Sequence, residues 1–197
     1  MLAKILHFLI YTSMTFFMII VILRFLLQQA KADFYNPLSQ AIVKITRPLL
    51  MPLRRIIPGV MGIDMASIAL MILLQLAVIL VLGLILGQST LFSFPLYSIA
   101  WAILGTLTLV SNIFFWGIII SIVGSWIAPG SNHPVLALVN QLIDPIMAPI
   151  RKILPPLGGV IDISPILVLM GLKVLDMVLA RAAQAVYLNP NVVIGVW

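Results

Sequence analysis

Few side chains in this sequence can do chemistry near neutral pH. Its acids are five aspartates, Asp33, Asp64, Asp144, Asp162 and Asp176, set against eleven lysines and arginines and two histidines. Two adjacent cation pairs, Arg54-Arg55 and Arg151-Lys152, stand among prolines. Paired cations suit anion recognition, because an arginine fork holds phosphate or carboxylate through parallel donors. The bland alternative is that they only set orientation at a membrane surface. Asp64 and Asp162 each precede a long apolar run. There an aspartate caps a helix and complements its dipole, worth about 0.3–1 kcal/mol, or pairs with a nearby arginine and ties two segments together. Lys173 and Asp176 are spaced to share one helix face. Inside a membrane such a pair marks an ion or proton pathway, or neutralises itself at a helix interface.

Other chemistries are excluded. There is no cysteine, hence no disulfide, thiolate metal site or cysteine nucleophile. His7 and His133 have no ligand cluster around them in sequence, so neither metal nor haem is expected. No Ser/His/Asp set, glycine-rich phosphate loop or H-E-x-x-H stretch is present. The expectation is a protein that is not an enzyme and carries no cofactor.

The cation pairs belong to a motif written twice. Pro37, Pro48, Pro52, Arg54 and Pro58 match Pro134, Pro145, Pro149, Arg151 and Pro155 at one common spacing, and Asp64 pairs with Asp162 one residue later. Arg47 lies in the first copy, where the second has Asp144. Each copy is followed by an apolar run, so the repeating unit is half the chain: 1–95 and 96–197.

The elements that must position these residues are membrane helices. The chain is 63% hydrophobic and 8% charged, against roughly 25% charged in soluble domains. No Asp, Glu, Lys or Arg occurs between Asp64 and Asp144. Four spans are expected, over 5–27, 66–86, 96–127 and 165–187, each near or above the ~20 residues a bilayer needs. The first is expected to be retained despite the Ala30-Lys31-Ala32 triplet, since its apolar core is longer than the ~7–15 residues of a signal sequence. The third would be about 48 Å long as one helix, against a ~30 Å hydrocarbon core; halved, it would be too short twice, so one long helix is expected.

The motif segments, 36–58 and 133–155, read differently. Leu38, Ile42, Ile45, Leu49, Leu53 and Ile56 step by three or four, as do Val135, Val139, Leu142, Ile146, Ile150 and Ile153. Asn36-Pro37 reads as a cap followed by proline at the first helical position. Pro48 and Pro52 remove backbone donors, and Asp144-Pro145 reads as a fresh helix start. Each segment is therefore expected to be two short amphipathic pieces, a kinked hairpin lying in the interface. Pro155-Pro156 and Gly158-Gly159 are expected to end the second. Arg24 and Arg181 are expected to snorkel to the interfaces.

With four spans both motif segments fall on one face. They carry Lys31, Lys44, Arg47, Arg54, Arg55, Arg151 and Lys152, while the other face has Lys4. The positive-inside rule puts the motifs in the cytoplasm and both termini in the periplasm. The repeats are then parallel, about an axis along the membrane normal.

The residues D-F-Y-N-P (33–37), T-R-P-L-L-M-P-L-R-R-I-I-P (46–58), G-I-D (62–64) and D-P-I-M-A-P-I-R-K-I-L-P-P-L-G-G-V-I-D (144–162) resemble the YggT family of small bacterial and plastid membrane proteins. The resemblance covers nearly the whole chain. It implies a bacterial inner-membrane protein, an association with osmotic-stress tolerance and with genes of growth and division, and, among plastid relatives, cofactor assembly on a cytochrome complex. It supplies no catalytic residue. The expected function is a scaffold or assembly factor whose basic hairpins engage anionic headgroups and a membrane protein partner or a second copy, with no nucleic acid. The alternative is an oligomeric ion channel or transporter working through Lys173 and Asp176.

Overall fold

The computed structural model describes residues 1–87, 95–128, 130, 133–154 and 162–196. Pro155, the Pro155-Pro156 and Gly158-Gly159 terminators and the greater part of the Gly87–Pro95 turn lie outside these. The described residues form six helices: α1 (Leu2–Gln29), α2 (Pro37–Ile56), α3 (Met65–Ile85), α4 (Pro95–Ile127), α5 (Pro134–Ile153) and α6 (Ser164–Ala185). No strand occurs among them. By length and composition α1, α3 and α4 can cross a membrane. Every 18-residue stretch of α6 includes Lys173, Asp176 and Arg181, which sets it apart from those three. The long apolar run 96–127 is one uninterrupted helix, α4.

The two halves pack alike. In the first, α1 packs along α3 and both touch α2; in the second, α4 packs along α6 and both touch α5. Gly117 and Gly124 let α4 approach α5, where a Cβ would stand 3.2 Å from Ile143 and 2.5 Å from Leu136. The halves join chiefly through α3 against α4, with α2 touching α5 and α1 touching both α4 and α5. One core gathers residues of α1, α3 and α4 around Met18, Ile22, Leu70 and Leu82, and a smaller one lies between α4, α5 and α6 around Ile118, Met147 and Val168.

The motif segments correct the expected hairpins. Each is one continuous helix: α2 keeps Pro48 and Pro52 inside it, and α5 keeps Pro145 and Pro149. No helix begins at Asp144. Interior proline costs ~3 kcal/mol or more, largely by freeing the carbonyl four residues earlier. Here all four prolines are exposed, as are Lys44 and Pro48, whose carbonyls are freed in α2, so solvent or headgroups can satisfy them. The first start is capped as expected, Asn36 accepting from Leu38 N at 2.9 Å. The second is capped by a residue not read as a cap, His133, whose Nδ1 accepts from Val135 N at 3.3 Å, and each cap stands ahead of a proline.

The face that α2 buries takes in only the edge of its apolar stripe, where Ile42 and Leu53 pack half-buried against the core. Ser39, Thr46 and Leu50 are buried, while Leu38, Ile45, Leu49 and Ile56 are 39–79% exposed. The bundle takes one side of α2 and leaves these four apolar residues open beside it.

Candidate functional site

Asp64 does two jobs at once. It accepts from Ser67 N at 3.3 Å and from Ser67 Oγ at 2.7 Å, capping α3. Its other neighbour is Arg54, in the last turn of α2, whose Nη2 is hydrogen-bonded to the carboxylate. The same guanidinium nitrogen donates to Gln28 Oε1, in the last turn of α1, at 2.9 Å. One arginine therefore ties the ends of α1 and α2 to the start of α3. The capping and ion-pair readings are both realised in one residue.

The second half repeats the staple with looser geometry. Arg151 Nε donates to Asp162 at 2.9 Å, Asp162 accepts from Ser164 N at 2.9 Å, and Arg151 also lies 3.5 Å from Asp144. Asp64 is 7% exposed and Asp162 29%, so the first staple is the desolvated one. Burial alone would raise the Asp64 carboxyl, but hydrogen bonds from Arg54 and Ser67 and the Arg54 charge outweigh it and hold the group below its ordinary range. Burial is likewise outweighed at Asp162, by hydrogen bonds from Ser164 and by Arg151.

A carboxyl whose pKa is lower folded than unfolded contributes its full stability above the unfolded value, ~3.9, and loses it as pH falls through the folded value. Unfolding in mixed micelles should be flat in pH between about 7 and 5 and become easier below about 4. Asp64→Asn should flatten that acid-side slope. A slope indifferent to this change would mean the staple is not what titrates.

Arg24 does not snorkel. It is 9% exposed, donating through Nη1 to Thr46 Oγ1 at 2.6 Å and to Val43 O at 3.1 Å. The repeat spacing matches Arg24 with Ser121 and Val43 with Asn140, and there Ser121 Oγ donates to Asn140 Oδ1 at 2.6 Å. Both halves place a polar bridge between first and second helices, charged in one and neutral in the other. Arg24, Gln28, Ser39 and Arg54 line a pocket of about 50 Å³, with Ser39 Oγ buried and unpartnered among the described residues. Arg54 also walls a second, open cleft of about 440 Å³ with Gln28, Gly59, Gly62 and Asp64. Arg47 reaches Met51 Sδ at 3.2 Å, and Arg55 and Lys152 are exposed.

Lys173 and Asp176 do meet, at 3.5 Å, with exposures of 56% and 23%. Asp176 also accepts from Ser111 Oγ of α4 at 2.7 Å, and the Lys173 ammonium sits 4.3 Å from the centre of the Phe115 ring. The pair lies along the α4–α6 seam. Among the described residues no His/Asp cluster could hold a metal.

Sequence reasoning missed two joins. Asn36 Nδ2 donates to Pro134 O and Asp33 N to Gln141 Oε1, both at 2.8 Å, so the two motif copies meet at their starts. After α6 the chain folds back and buries Val192, Val193 and Ile194 completely. Gln75 Nε2 donates to Ile194 O at 3.1 Å, Asn191 O lies 2.6 Å from His7 Nε2, and Trp101 Nε1 donates to Val186 O at 2.9 Å. The one sequence signal was Gln75, a polar side chain alone in an apolar run.

The comparisons follow this duplicated layout. The family described as CCB3/YggT matches twice, over residues 3–85 and 100–183, one match to each half. An uncharacterized protein of Pseudomonas aeruginosa is 46% identical over 90% of this chain and 89% of its own length. An uncharacterized Vibrio alginolyticus protein from the region 3′ of proC is 40% identical over 84% of this chain and 88% of its own. The uncharacterized protein YggT of Escherichia coli K12 is 36% identical over 91% and 92%. No solved structure matches. With both halves matched in order and such identity over nearly its full length, this membrane chain belongs to the CCB3/YggT family.

Proposed function

We propose that the protein is an inner-membrane scaffold or assembly factor whose two motif helices lie in the cytoplasmic interface, holding anionic lipid and docking a partner there. In this reading α6 is the fourth span, its charges met by Asp176, Ser111 and Phe115, and both termini are periplasmic. The observation that carries the reading is the open stripe Leu38, Ile45, Leu49 and Ile56 on α2, left out of the bundle beside the exposed cations Lys44, Arg47 and Arg55. A helix with one face on protein, one apolar face open and one basic face suits the headgroup boundary. The staples fix its angle, and Arg54, shared by two adjoining cavities, is the donor placed for a phosphate. The link to osmotic stress belongs to the same proposal, as a membrane organiser needed under turgor change.

The test is lipid retention. Protein purified in mild detergent should carry phosphatidylglycerol or cardiolipin, counted by native mass spectrometry. The Arg55→Gln/Lys152→Gln variant should retain at least about threefold less, since each surface cation is worth about 1 kcal/mol toward anionic lipid. Unchanged retention, with no partner protein recovered by cross-linking, would count against the scaffold. The channel alternative rests on Lys173, a cation half-exposed midway along α6. Proteoliposomes that pass ions under a salt gradient, and stop doing so in Lys173→Met, would favour it instead.

A further inference from the structure

The duplication leaves one interface used once and its two complementary faces open. The halves join where α3 packs on α4. On α3 this face is Met71, Gln75, Ile79 and Leu82, all at most 3% exposed. The spacing that pairs Asp64 with Asp162 matches these with Leu169, Lys173, Met177 and Ala180 of α6. There Lys173 is 56% exposed, Met177 68%, and a shallow notch of about 410 Å³ runs along the helix between Ile166 and Met177. Leu169 at its edge is half-buried against the second core. No described helix covers the rest of that face, because α6 packs only on α4 and α5 among the described residues.

The opposite side tells the same story. On α4 the buried face is Trp101, Ala102, Gly105, Thr106 and Leu109. The spacing that pairs Arg54 with Arg151 matches these with Lys4, Ile5, Phe8, Leu9 and Thr12 of α1. Every one is exposed, Phe8 at 65%, and Phe16 continues the stripe at 67%. The residues of α1 that hold the tail, His7 and Tyr11, lie on another side of that helix.

We infer that the open face of α6 binds the open face of α1 from a second copy, repeating the α3–α4 packing between chains. The contact is head-to-tail: each copy offers α6 to one neighbour and α1 to another, which builds a ring or a row in the membrane plane. The central contact follows from register. Within the chain Gly105 stands against Gln75, with Val193 and Ile194 filling the space above the glycine. Between chains the matched pair is Phe8 against Lys173, and the tail, already seated, is not needed because the Phe8 ring supplies the bulk. Lys173 already lies over the Phe115 ring, and Phe8 of the second copy closes its other side, a favourable place for an ammonium in apolar surroundings. This does not depend on the scaffold reading.

The absence of native cysteine makes the test direct. The variant Phe8→Cys/Lys173→Cys is oxidised with copper phenanthroline in native membranes and resolved on a non-reducing gel. Disulfide-linked species of two copies and larger are expected. Mixing differently tagged single variants, Phe8→Cys and Lys173→Cys, should give the mixed dimer and neither homodimer. The comparison pair Phe8→Cys/Leu175→Cys uses an exposed residue on a different side of α6 and should stay monomeric. Ser111→Cys/Asp176→Cys, adjacent within one chain, shows that oxidation reaches the bilayer. If that internal pair closes while Phe8→Cys/Lys173→Cys remains monomeric, the faces are lipid-covered and the inference is overturned. Equal cross-linking through Leu175→Cys overturns it too, since the contact would be collision.

Discussion

Arg54→Leu should cost about 2–3 kcal/mol of stability, while the matched change Arg151→Leu should cost less than about 1. The residues are equivalent in sequence, so the difference must come from surroundings. Asp64 is 7% exposed and would keep a desolvated carboxylate served only by Ser67; Asp162 is 29% exposed and can turn to water. Arg54 is itself 39% exposed, which keeps the expected loss below that of a fully buried pair. Unfolding by sodium dodecyl sulfate in mixed micelles reads both variants on one scale. Equal losses would mean the staples are energetically alike and that the depth of Asp64 counts for nothing. Exchanging the charges, Arg54→Asp with Asp64→Arg, should not rescue the fold, because an arginine at the start of α3 cannot accept from Ser67.

Gly105→Ala should release the tail. An added Cβ would stand 2.5 Å from Gln75 Nε2, 2.5 Å from Val193 Cγ1 and 2.8 Å from Ile194 O. The last is backbone and cannot rotate away. Gly195, at φ +92°, packs against Gly105 O and Leu109 from the other side, so the segment has no room to shift. Overpacking of this kind costs about 1–3 kcal/mol, enough to raise the detached population by about five- to 150-fold. A single reporter, Val193→Cys, can be followed by maleimide labelling because the chain has no other thiol. Labelling should accelerate by that factor in Gly105→Ala and stay unchanged in Gly171→Ala, where a Cβ would meet nothing within 4 Å. No acceleration in the first would show that the tail is held elsewhere.

What was legible in the sequence depended on the range of the interaction. The helices, the caps at Asn36 and Asp64, and the Lys173–Asp176 contact are set by neighbours within a turn or two, and periodicity or spacing exposes them. The long helix α4 could be argued from length against bilayer thickness. Pro48 and Pro52 misled because proline's local penalty depends on where the freed carbonyls point, and burial decides that. The helical period of the α2 stripe was readable, but which side of the helix the bundle takes was not, because that is set by contacts with other helices. Arg24 was read as snorkelling because Thr46 and Val43 sit on another helix, and nothing nearby in the chain announces them. The tail was least visible. Three apolar residues have no period to read, and their groove exists only because position 105 is glycine.

The buried tail also sets an order in time. Val192, Val193 and Ile194 leave the ribosome after all six helices, yet they fill a space between α1, α3 and α4, and Ile194 accepts the amide of Gln75. Until α6 has formed and the chain has doubled back, Gln75 faces an unfilled groove along α3. The first half can be threaded into the membrane early but cannot be sealed early. A chain stalled or clipped before Val192 would carry an open seam at its centre, the kind of defect by which membrane proteases tell unfinished proteins from finished ones.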